Sequence, residues 1–339
     1  MPGDADPARG AEPLLQVSGL RTWFFTDAGV VRAVDGVTFS LHRGETLGIV
    51  GESGSGKSVA AKSILNLLEE PAHIVAGSIR FRGKEITRLP EAELREIRGA
   101  EIAMVFQDPM TSLNPVLRIS RQLIETMTAH GRFTKAAARE RAASLLGRMG
   151  IAAPERVLDA WPHQFSGGMR QRVMLAMGFA NEPSLILADE PTTALDVTIQ
   201  AQIIELMLDL KRELGTSIIM ITHDLGVVAE TCARVVVMYA GRKVEEATAA
   251  ELFTTPLHPY TQGLLSATPR LETAPGKRRA DRPRLIEIPG MVPTLKGELI
   301  GCSFTPRCYK ATGICRESVP TLEDRGNGHV VSCFNCGSA

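Results

Sequence analysis

The sequence predicts an α/β fold with a parallel sheet, an antiparallel β subdomain, an inserted helical subdomain and a small cysteine-rich C-terminal unit. In the second half of the chain, short apolar or β-branched runs alternate with helical stretches, which is typical of a parallel sheet. Two β-rich runs joined by a turn lie near the N-terminus, and five of the six cysteines lie at or beyond Cys302. The 339 residues are enough for about two domains.

The N-terminal elements are predicted to be an antiparallel hairpin, a buried strand and a helix. β-rich runs at 15–25 and 31–41 flank the turn-prone sequence Asp27-Ala28-Gly29. The apolar run at 46–50 predicts a buried strand, and a helix is predicted over 58–68 after a glycine-rich turn.

A helical insert is predicted to interrupt the α/β core between about residues 108 and 180. It includes a helix over 136–149 that ends at Gly150. Beyond the insert, strands are predicted at 185–188, 217–222 and 235–239, with a helix over 198–214.

Composition marks three segments of the chain. Residues 1–13 contain three prolines and read as a loose tail, residues 14–270 form the α/β domain, and residues 271–339 form a C-terminal extension. The extension begins in a segment rich in Pro, Gly and Arg, whose basic run we interpret as a solvated linker: Lys277, Arg278, Arg279, Arg282 and Arg284.

Charge and hydropathy exclude several classes of protein. The 38 basic residues balance 38 acidic ones, so non-specific binding to nucleic acid is not expected. No stretch reaches the roughly 18 uninterrupted apolar residues of a membrane span. The N-terminus lacks the basic and apolar regions of a secretory signal, so we expect a cytosolic protein.

A glycine-rich motif lies between the predicted strand at 46–50 and the predicted helix. It matches G-x-x-x-x-G-K-[ST] at every fixed position, over Gly51, Glu52, Ser53, Gly54, Ser55, Gly56, Lys57 and Ser58. Its backbone N–H groups converge on phosphate oxygens, its lysine reaches the outer phosphates, and its serine ligates Mg²⁺. A plain glycine-rich turn is the alternative, and a dinucleotide-binding fold fits less well because Val59 replaces its third glycine. The motif predicts a P-loop ATPase core.

Two carboxylates end the predicted strand at 185–188. Asp189 is suited to hold Mg²⁺, and Glu190 is suited to orient or deprotonate the attacking water. An acidic pair at a strand end is usually just a solvated strand terminus. We predict a catalytic role for this pair because the same sequence also contains the phosphate loop.

A second helix start that can receive an anion follows the helical insert, at Ser166, Gly167 and Gly168. With this motif, residues 14–270 resemble the nucleotide-binding subunits of ATP-binding-cassette (ABC) transporters. The resemblance implies that the signature of one subunit closes over the ATP held by the phosphate loop of another, in a head-to-tail dimer.

The resemblance also assigns roles to single residues. It implies that Gln107 senses Mg²⁺ and the lytic water, that Asp196 contacts the dimer partner, and that His223 is the switch histidine on the γ-phosphate. Phe24 occupies the place of the residue that stacks on adenine, although a core role is an equal alternative. The implied magnesium site is Ser58, Gln107 and Asp189.

The signature departs from the family's commonest form, Leu-Ser-Gly-Gly-Gln, because Phe165 and Met169 replace its first and last residues. The run at 165–172 is similar to one of the two ATPases of dipeptide and oligopeptide importers. The sequences at 258–261, 288–293 and 301–308 resemble the C-terminal extension of the same ATPases. The resemblance therefore implies a peptide importer with a non-identical partner ATPase.

The implied assembly places this chain at the cytoplasmic face of the membrane. Its partners would be a second ABC ATPase, two transmembrane permease subunits contacted near residues 111–115 and, indirectly, an extracytoplasmic solute-binding protein; no nucleic acid is expected. Members of the subfamily also import nickel, glutathione and peptide antibiotics, so the solute stays open. The alternatives are a soluble ABC ATPase acting on nucleic acid or ribosomes, and a P-loop kinase.

The C-terminal cysteines are spaced C-x5-C-x6-C-x17-C-x2-C. These spacings are mostly wider than the short C-x2-C pairs that are typical of zinc fingers. Thiolates can hold an iron–sulfur cluster, and the resemblance favours [4Fe–4S] on Cys302, Cys308, Cys315 and Cys333. Structural zinc and no metal are the alternatives. Cys336 is excluded because it lies close to the C-terminus. Cys232 is predicted to be a buried apolar residue.

Overall fold

The computed structural model describes residues 12–193, 195–267, 287–293, 295–297 and 300–336. The predicted tail up to residue 11 and the basic run at 277–284 lie outside these ranges.

Within the described ranges, strands and helices alternate over most of the chain. The strands are β1 (Leu15–Thr26), β2 (Gly29–Leu41), β3 (Thr46–Val50), β4 (Ala72–Phe81), β5 (Lys84–Glu85), β6 (Ile102–Val105), β7 (Leu185–Asp189), β8 (Ser217–Ile221), β9 (Arg234–Tyr239), β10 (Arg242–Thr248), β11 (Glu323–Asp324) and β12 (Val330–Val331). The α-helices are α1 (Lys57–Ile64), α2 (Glu91–Ile97), α3 (Pro109–Ser112), α4 (Ile119–Thr128), α5 (Lys135–Arg148), α6 (Pro154–Leu158), α7 (Gly167–Phe179), α8 (Val197–Leu214), α9 (Leu225–Thr231), α10 (Ala249–Thr254), α11 (Pro259–Ser266) and α12 (Gly313–Glu317).

The larger sheet has the strand order β11-β12-β10-β9-β3-β8-β7-β6 among the described residues. Strands β9, β3, β8, β7 and β6 run parallel, and β10, β12 and β11 add antiparallel pairs at one edge. Every residue of β3, β7 and β8 is buried, as expected when both faces of a parallel sheet are covered. The predicted parallel sheet is confirmed.

Alternate residues of the parallel strands face two different cores. On β8, Ile218 packs into the core shared with the helices of residues 109–179, whereas Ile219 packs into the core beneath the smaller sheet. That smaller sheet has the order β2-β1-β4-β5 and is antiparallel, and its first two strands are the predicted hairpin. The sequence analysis did not predict strands β4 and β5.

Helix α1 is shorter than predicted. It ends at Ile64 instead of continuing to residue 68, because Asn66 adopts a left-handed backbone conformation with φ 49°. The helix nevertheless begins at Lys57, directly after the glycine-rich turn.

The described part of the C-terminal extension joins the main domain. β12 pairs with β10, so the extension continues the larger sheet. Phe304 is buried against Tyr239 and Tyr260, with ring centroids 5.2 and 5.5 Å away. The expectation of a separate cysteine-rich unit is therefore not supported, because this segment shares its core with the cassette.

The shared core predicts a large stability effect of Phe304→Ala. Removing the buried ring should lower the free energy of unfolding by about 3 kcal/mol, because a cavity remains between two tyrosines. Urea unfolding followed by circular dichroism measures the change. Phe25→Ala is the control, because Phe25 is half exposed and its loss should cost about 0.5 kcal/mol or less. An unchanged midpoint for Phe304→Ala would mean that the extension folds apart from the cassette.

Candidate active site

The glycine-rich motif forms a loop that links β3 to α1. Its glycines have positive φ angles, and two of them lie against neighbouring backbone. A Cβ atom on Gly51 would lie 2.2 Å from the carbonyl oxygen of Met238, and one on Gly56 would lie 2.2 Å from that of Ala33. Both positions therefore require glycine, and the loop stays close to β2 and β9.

Lys57 turns its ammonium group back into this loop. Its Nζ donates to the carbonyl oxygens of Gly51 and Glu52, at 2.8 and 2.9 Å, and the residue is only 5% exposed. Burial lowers the pKa of Lys57, and the nearby carboxylates of Glu190, Asp189 and Glu52 partly oppose that shift. The loop thus holds a buried cation where phosphate oxygens are expected.

Ser58 and Asp189 face each other across the edge of the sheet. Ser58 Oγ donates to Asp189 Oδ1 at 2.8 Å, and Asp189, the last residue of β7, is 3% exposed. Burial raises the pKa of Asp189, and the hydrogen bond from Ser58 opposes that rise. A hydroxyl and a carboxylate are hard oxygen donors of the kind that Mg²⁺ prefers, so this pair fits the ion.

Glu190 is the centre of a hydrogen-bonded group. Its Oε2 accepts from Gln107 Nε2 at 2.7 Å and from Thr193 Oγ1 at 2.8 Å, and its Oε1 lies 3.2 Å from His223 Nδ1. The structure therefore brings together Gln107, Glu190 and His223, which are distant in sequence. Thr193 was missed, and its only signal is its place three residues after the acid.

The surroundings of Glu190 keep it ionised. Burial alone raises its pKa, but hydrogen bonds from Thr193 and His223 and the charges of His223 and Lys57 outweigh burial and hold the pKa below its usual value. Its backbone has φ 46°, a conformation rare outside glycine, and its N–H donates to the carbonyl oxygen of Ile221 on β8. A fixed carboxylate beside a phosphate-binding loop can orient a water molecule and accept its proton.

The signature residues lie on a different, exposed surface. Ser166 caps α7, with its Oγ accepting from the backbone N–H of Met169 at 3.3 Å, and Asp196 caps α8 in the same way. A Cβ atom on Gly168 would lie 3.1 Å from the side chain of Ile199, so the two helix starts are neighbours. No hydrogen bond between these residues and the phosphate loop occurs in the described parts of the chain.

The unusual signature residues have a packing role. Phe165 is buried, and Met169 packs against the same core. An amide is still present nearby, because the buried Gln171 donates from its side chain to the carbonyl oxygen of Pro191, next to Glu190. The helix that carries the signature is thereby bonded to the loop that follows the acid pair.

Phe24 lies on β1, opposite Val31 of β2, and is half-buried. It belongs to neither of the two cores. Its adenine-stacking role stays a prediction.

The four cysteines proposed as ligands line one small enclosed cavity. Cys302, Cys308, Cys315 and Cys333 surround it together with Phe304 and Phe334, whereas Cys336 does not. Burial raises the pKa of Cys302 and Cys308, and that of Cys333 to about 11. No group of three or more potential metal ligands close enough to bind an ion occurs among the described residues, so the expected metal centre is not supported.

Cys232 is buried in the apolar core beside Gly48, as predicted, and burial raises its pKa to about 11. In the described parts of the chain, no helix combines the length and apolar character needed to cross a membrane.

Comparison with protein families gives two matches. Residues 34–193 match the ABC transporter family, and residues 244–315 match the C-terminal region of oligopeptide/dipeptide transporters. The chain is 53% identical to a probable peptide ABC transporter ATP-binding protein of Sinorhizobium fredii, over 96% of this chain and 95% of that protein. It is 49% identical to the oligopeptide transport ATP-binding protein OppD of Escherichia coli, over 96% of this chain and 94% of that protein.

Solved structures of similar fold cover the cassette. A dimeric post-hydrolysis structure of the ATP-binding cassette MJ0796 with ADP and phosphate matches with a TM-score of 0.63 and 28% identity, over 69% of this chain and 98% of that one. CbiO1 of Clostridium perfringens, part of the cbiONQ ABC transporter complex, matches with a TM-score of 0.60 and 30% identity, over 72% and 91%.

The contacts of Lys57 predict how its removal affects nucleotide binding. Lys57→Ala should weaken ATP binding by about tenfold or more, because it removes a phosphate-facing cation. Equilibrium titration with ATP measures the dissociation constant. Lys84→Ala is the control, because Lys84 pairs with Glu93 on the exposed end of the smaller sheet. Unchanged affinity in Lys57→Ala would remove the assignment of the phosphate loop.

Proposed function

The chain belongs to the oligopeptide/dipeptide group of ABC transporter ATP-binding proteins, and we propose that it powers peptide uptake through a membrane permease by hydrolysing ATP. One observation carries this proposal: Glu190 is held by Gln107, Thr193 and His223 beside the phosphate loop. The match of residues 244–315 to the C-terminal region of oligopeptide/dipeptide transporters supports peptides as the solute class.

We propose that the phosphate loop and Glu190 divide the work of hydrolysis. Loop N–H groups and Lys57 bind the phosphates, and phosphate oxygens replace the Gly51 and Glu52 carbonyls as partners of the ammonium group. Glu190 orients water and accepts its proton, and the hydrogen bonds and charges that lower its pKa keep it in the ionised form that this role requires. His223 and Gln107 contact the bound γ-phosphate or its Mg²⁺, and their hydrogen bonds to Glu190 make the position of Glu190 depend on these contacts.

Mg²⁺ is the expected companion of ATP. Ser58, Asp189 and Gln107 would hold it, and the hydrogen bond between Ser58 and Asp189 already places two of these donors together. When bound, the ion neutralises charge on the phosphates.

A complete ATP site is proposed to need a second ATPase subunit. Ser166, Gly167 and Gly168 are exposed or half-exposed at a helix start, away from this chain's own phosphate loop, so they are free to close over a partner's nucleotide. The dimeric form of the MJ0796 cassette supports such an arrangement. The resemblance of this signature to one of the two ATPases of peptide importers is the basis for proposing a non-identical partner.

The permease is proposed to dock beside Gln107. Phe106, Met110 and Val116 are apolar and exposed, and Met110 and Val116 reach 61% and 77% exposure. They flank the segment 111–115 singled out from the sequence. A permease bound to this apolar surface would lie next to Gln107, which contacts Glu190, and would thereby couple its own movement to hydrolysis. We propose on this basis that the chain works at the cytoplasmic face of the membrane. A solute-binding protein outside the membrane would deliver the peptide.

We further propose that Cys302, Cys308, Cys315 and Cys333 hold a [4Fe–4S] cluster, with zinc as the alternative. The observation behind the proposal is that the four side chains line one cavity, where they are not yet close enough together to bind an ion. Thiolates are the usual ligands of such clusters, and bound iron would lower the raised pKa values of Cys302, Cys308 and Cys333 by stabilising their thiolates. The cluster would have to draw the four side chains into a ligating arrangement.

Glu190→Gln is predicted to retain ATP binding but lose turnover by about a hundredfold or more, because an amide cannot accept the proton of water. The measurements are ATP hydrolysis and labelled-peptide uptake by the complex reconstituted in vesicles, with the partner ATPase inactivated at its own site. Glu205→Gln, on the exposed face of α8, is the matched control.

Hydrolysis near the rate of the unmodified complex in Glu190→Gln would reject the proposed base. ATP-dependent uptake of nickel or glutathione but not of peptides would keep the ATPase and replace the solute class.

The cluster proposal predicts iron and acid-labile sulfide in equal amounts after anaerobic purification. Cys333→Ser should lose both, and Cys336→Ser should keep them, because Cys336 does not line the cavity. Stoichiometric zinc without sulfide would reject the cluster. Iron lost in Cys336→Ser and kept in Cys333→Ser would reject the choice of fourth ligand.

A further inference from the structure

The C-terminal extension contacts the phosphate loop at Glu52, the residue after Gly51. Arg307 Nη1 donates to Glu52 Oε2 at 2.6 Å, and Arg307 Nη2 donates to Glu52 Oε1 at 2.9 Å. The Arg307 side chain is 4% exposed and that of Glu52 is 27% exposed. A two-pronged ion pair of this kind fixes both position and orientation.

All the donor groups of the Arg307 guanidinium have acceptors. Nε donates to the carbonyl oxygen of Pro289 at 2.9 Å, Nη2 also donates to that of Ile288 at 3.3 Å, and Nη1 also donates to Tyr239 Oη at 3.4 Å. Of the five hydrogen bonds that Arg307 donates, these three join it to the extension and to Tyr239 beneath it, and the two to Glu52 join it to the phosphate loop. The arginine is therefore held rigidly, and a lysine could not reproduce its fork.

Glu52 is also held through its backbone. Its N–H donates to Tyr260 Oη on α11 at 2.8 Å, and the Tyr260 ring packs against Tyr239 with centroids 4.6 Å apart. The carbonyl oxygen of Glu52 accepts from Lys57 Nζ. The residue that the extension fixes is thus also a partner of the phosphate-binding lysine before nucleotide binds.

The ion pair also changes the charge that a nucleotide meets. An unpaired Glu52 carboxylate would repel the triphosphate in the loop, and Arg307 neutralises it.

We propose that Arg307 is a positioning residue for ATP binding: through Glu52 the C-terminal extension fixes the phosphate loop and neutralises its one carboxylate. The inference rests on the proposed ATPase function, and it adds a part of the nucleotide site that lies outside the residues matching the ABC transporter family. Arg307 contacts neither Glu190 nor the other residues of the hydrolysis group, so its effect falls on ATP affinity and not on turnover.

A double-mutant cycle tests the proposal in the full-length chain, with ATP as the titrant. Arg307→Gln should raise the dissociation constant of the chain for ATP about tenfold. In the complex reconstituted with its partner subunits, it should raise the KM for ATP to a similar extent and leave kcat within about twofold. Arg307→Lys keeps the positive charge but cannot form the two parallel hydrogen bonds to Glu52. It should raise the dissociation constant for ATP roughly threefold. Adding Glu52→Gln to Arg307→Gln should recover most of the lost affinity, because the unpaired carboxylate is then gone.

Arg234→Gln is the matched control. Arg234 is also largely buried and pairs with Glu45 and Glu246, but at the opposite end of β3 from the phosphate loop. It should lower the melting temperature and leave ATP affinity unchanged.

Two results would overturn the inference alone: ATP affinity in Arg307→Gln equal to that of the unmodified chain, or energies of the two substitutions that simply add. If Arg307→Gln does not fold, unchanged affinity in Arg307→Lys overturns it equally. Absence of ATP binding by the unmodified chain would overturn the proposed function, and the inference with it.

Discussion

The parallel strands of the larger sheet end at one edge, and the chemistry depends on this alignment. The phosphate loop follows β3, the acid pair ends β7, His223 follows β8 and Gln107 follows β6. These four strands are consecutive neighbours in the sheet. Because parallel neighbours share a direction, their carboxyl ends place groups from distant parts of the sequence within hydrogen-bond distance. Every residue of three of these strands, β3, β7 and β8, is buried.

The sequence predicted this edge well because each part of it is a contiguous motif. An apolar run followed by glycines, or by two acids, identifies both the strand and the group that ends it. The smaller sheet was predicted only in part, since β2, β3 and α1 separate β4 from its partner β1 in the sequence and the sequence of β4 has weak alternation. The contact of Thr193 with Glu190 was missed because its place three residues after the acid was the only signal in the sequence.

The attachment of the C-terminal extension was not predictable from local patterns. Arg307 and Glu52 are 255 positions apart, and neither residue stands out beside its neighbours. The extension looked separate because its composition changes at the proline-rich boundary, whereas its attachment depends on Phe304 filling a space between two tyrosines of the cassette. The amino-acid composition of a segment indicates its local structure. It does not indicate which distant segments that segment packs against.

The place of Arg307 beside Cys308 links two regions that otherwise have separate chemistry. The short turn Thr305–Arg307 carries the arginine, and the next residue lines the cysteine cavity. If seating this turn favours ATP binding, thermodynamic linkage requires ATP to favour the seated turn by the same free energy. The cysteine cavity would then be more tightly ordered and better protected from solvent in the nucleotide-loaded protein than in the empty one.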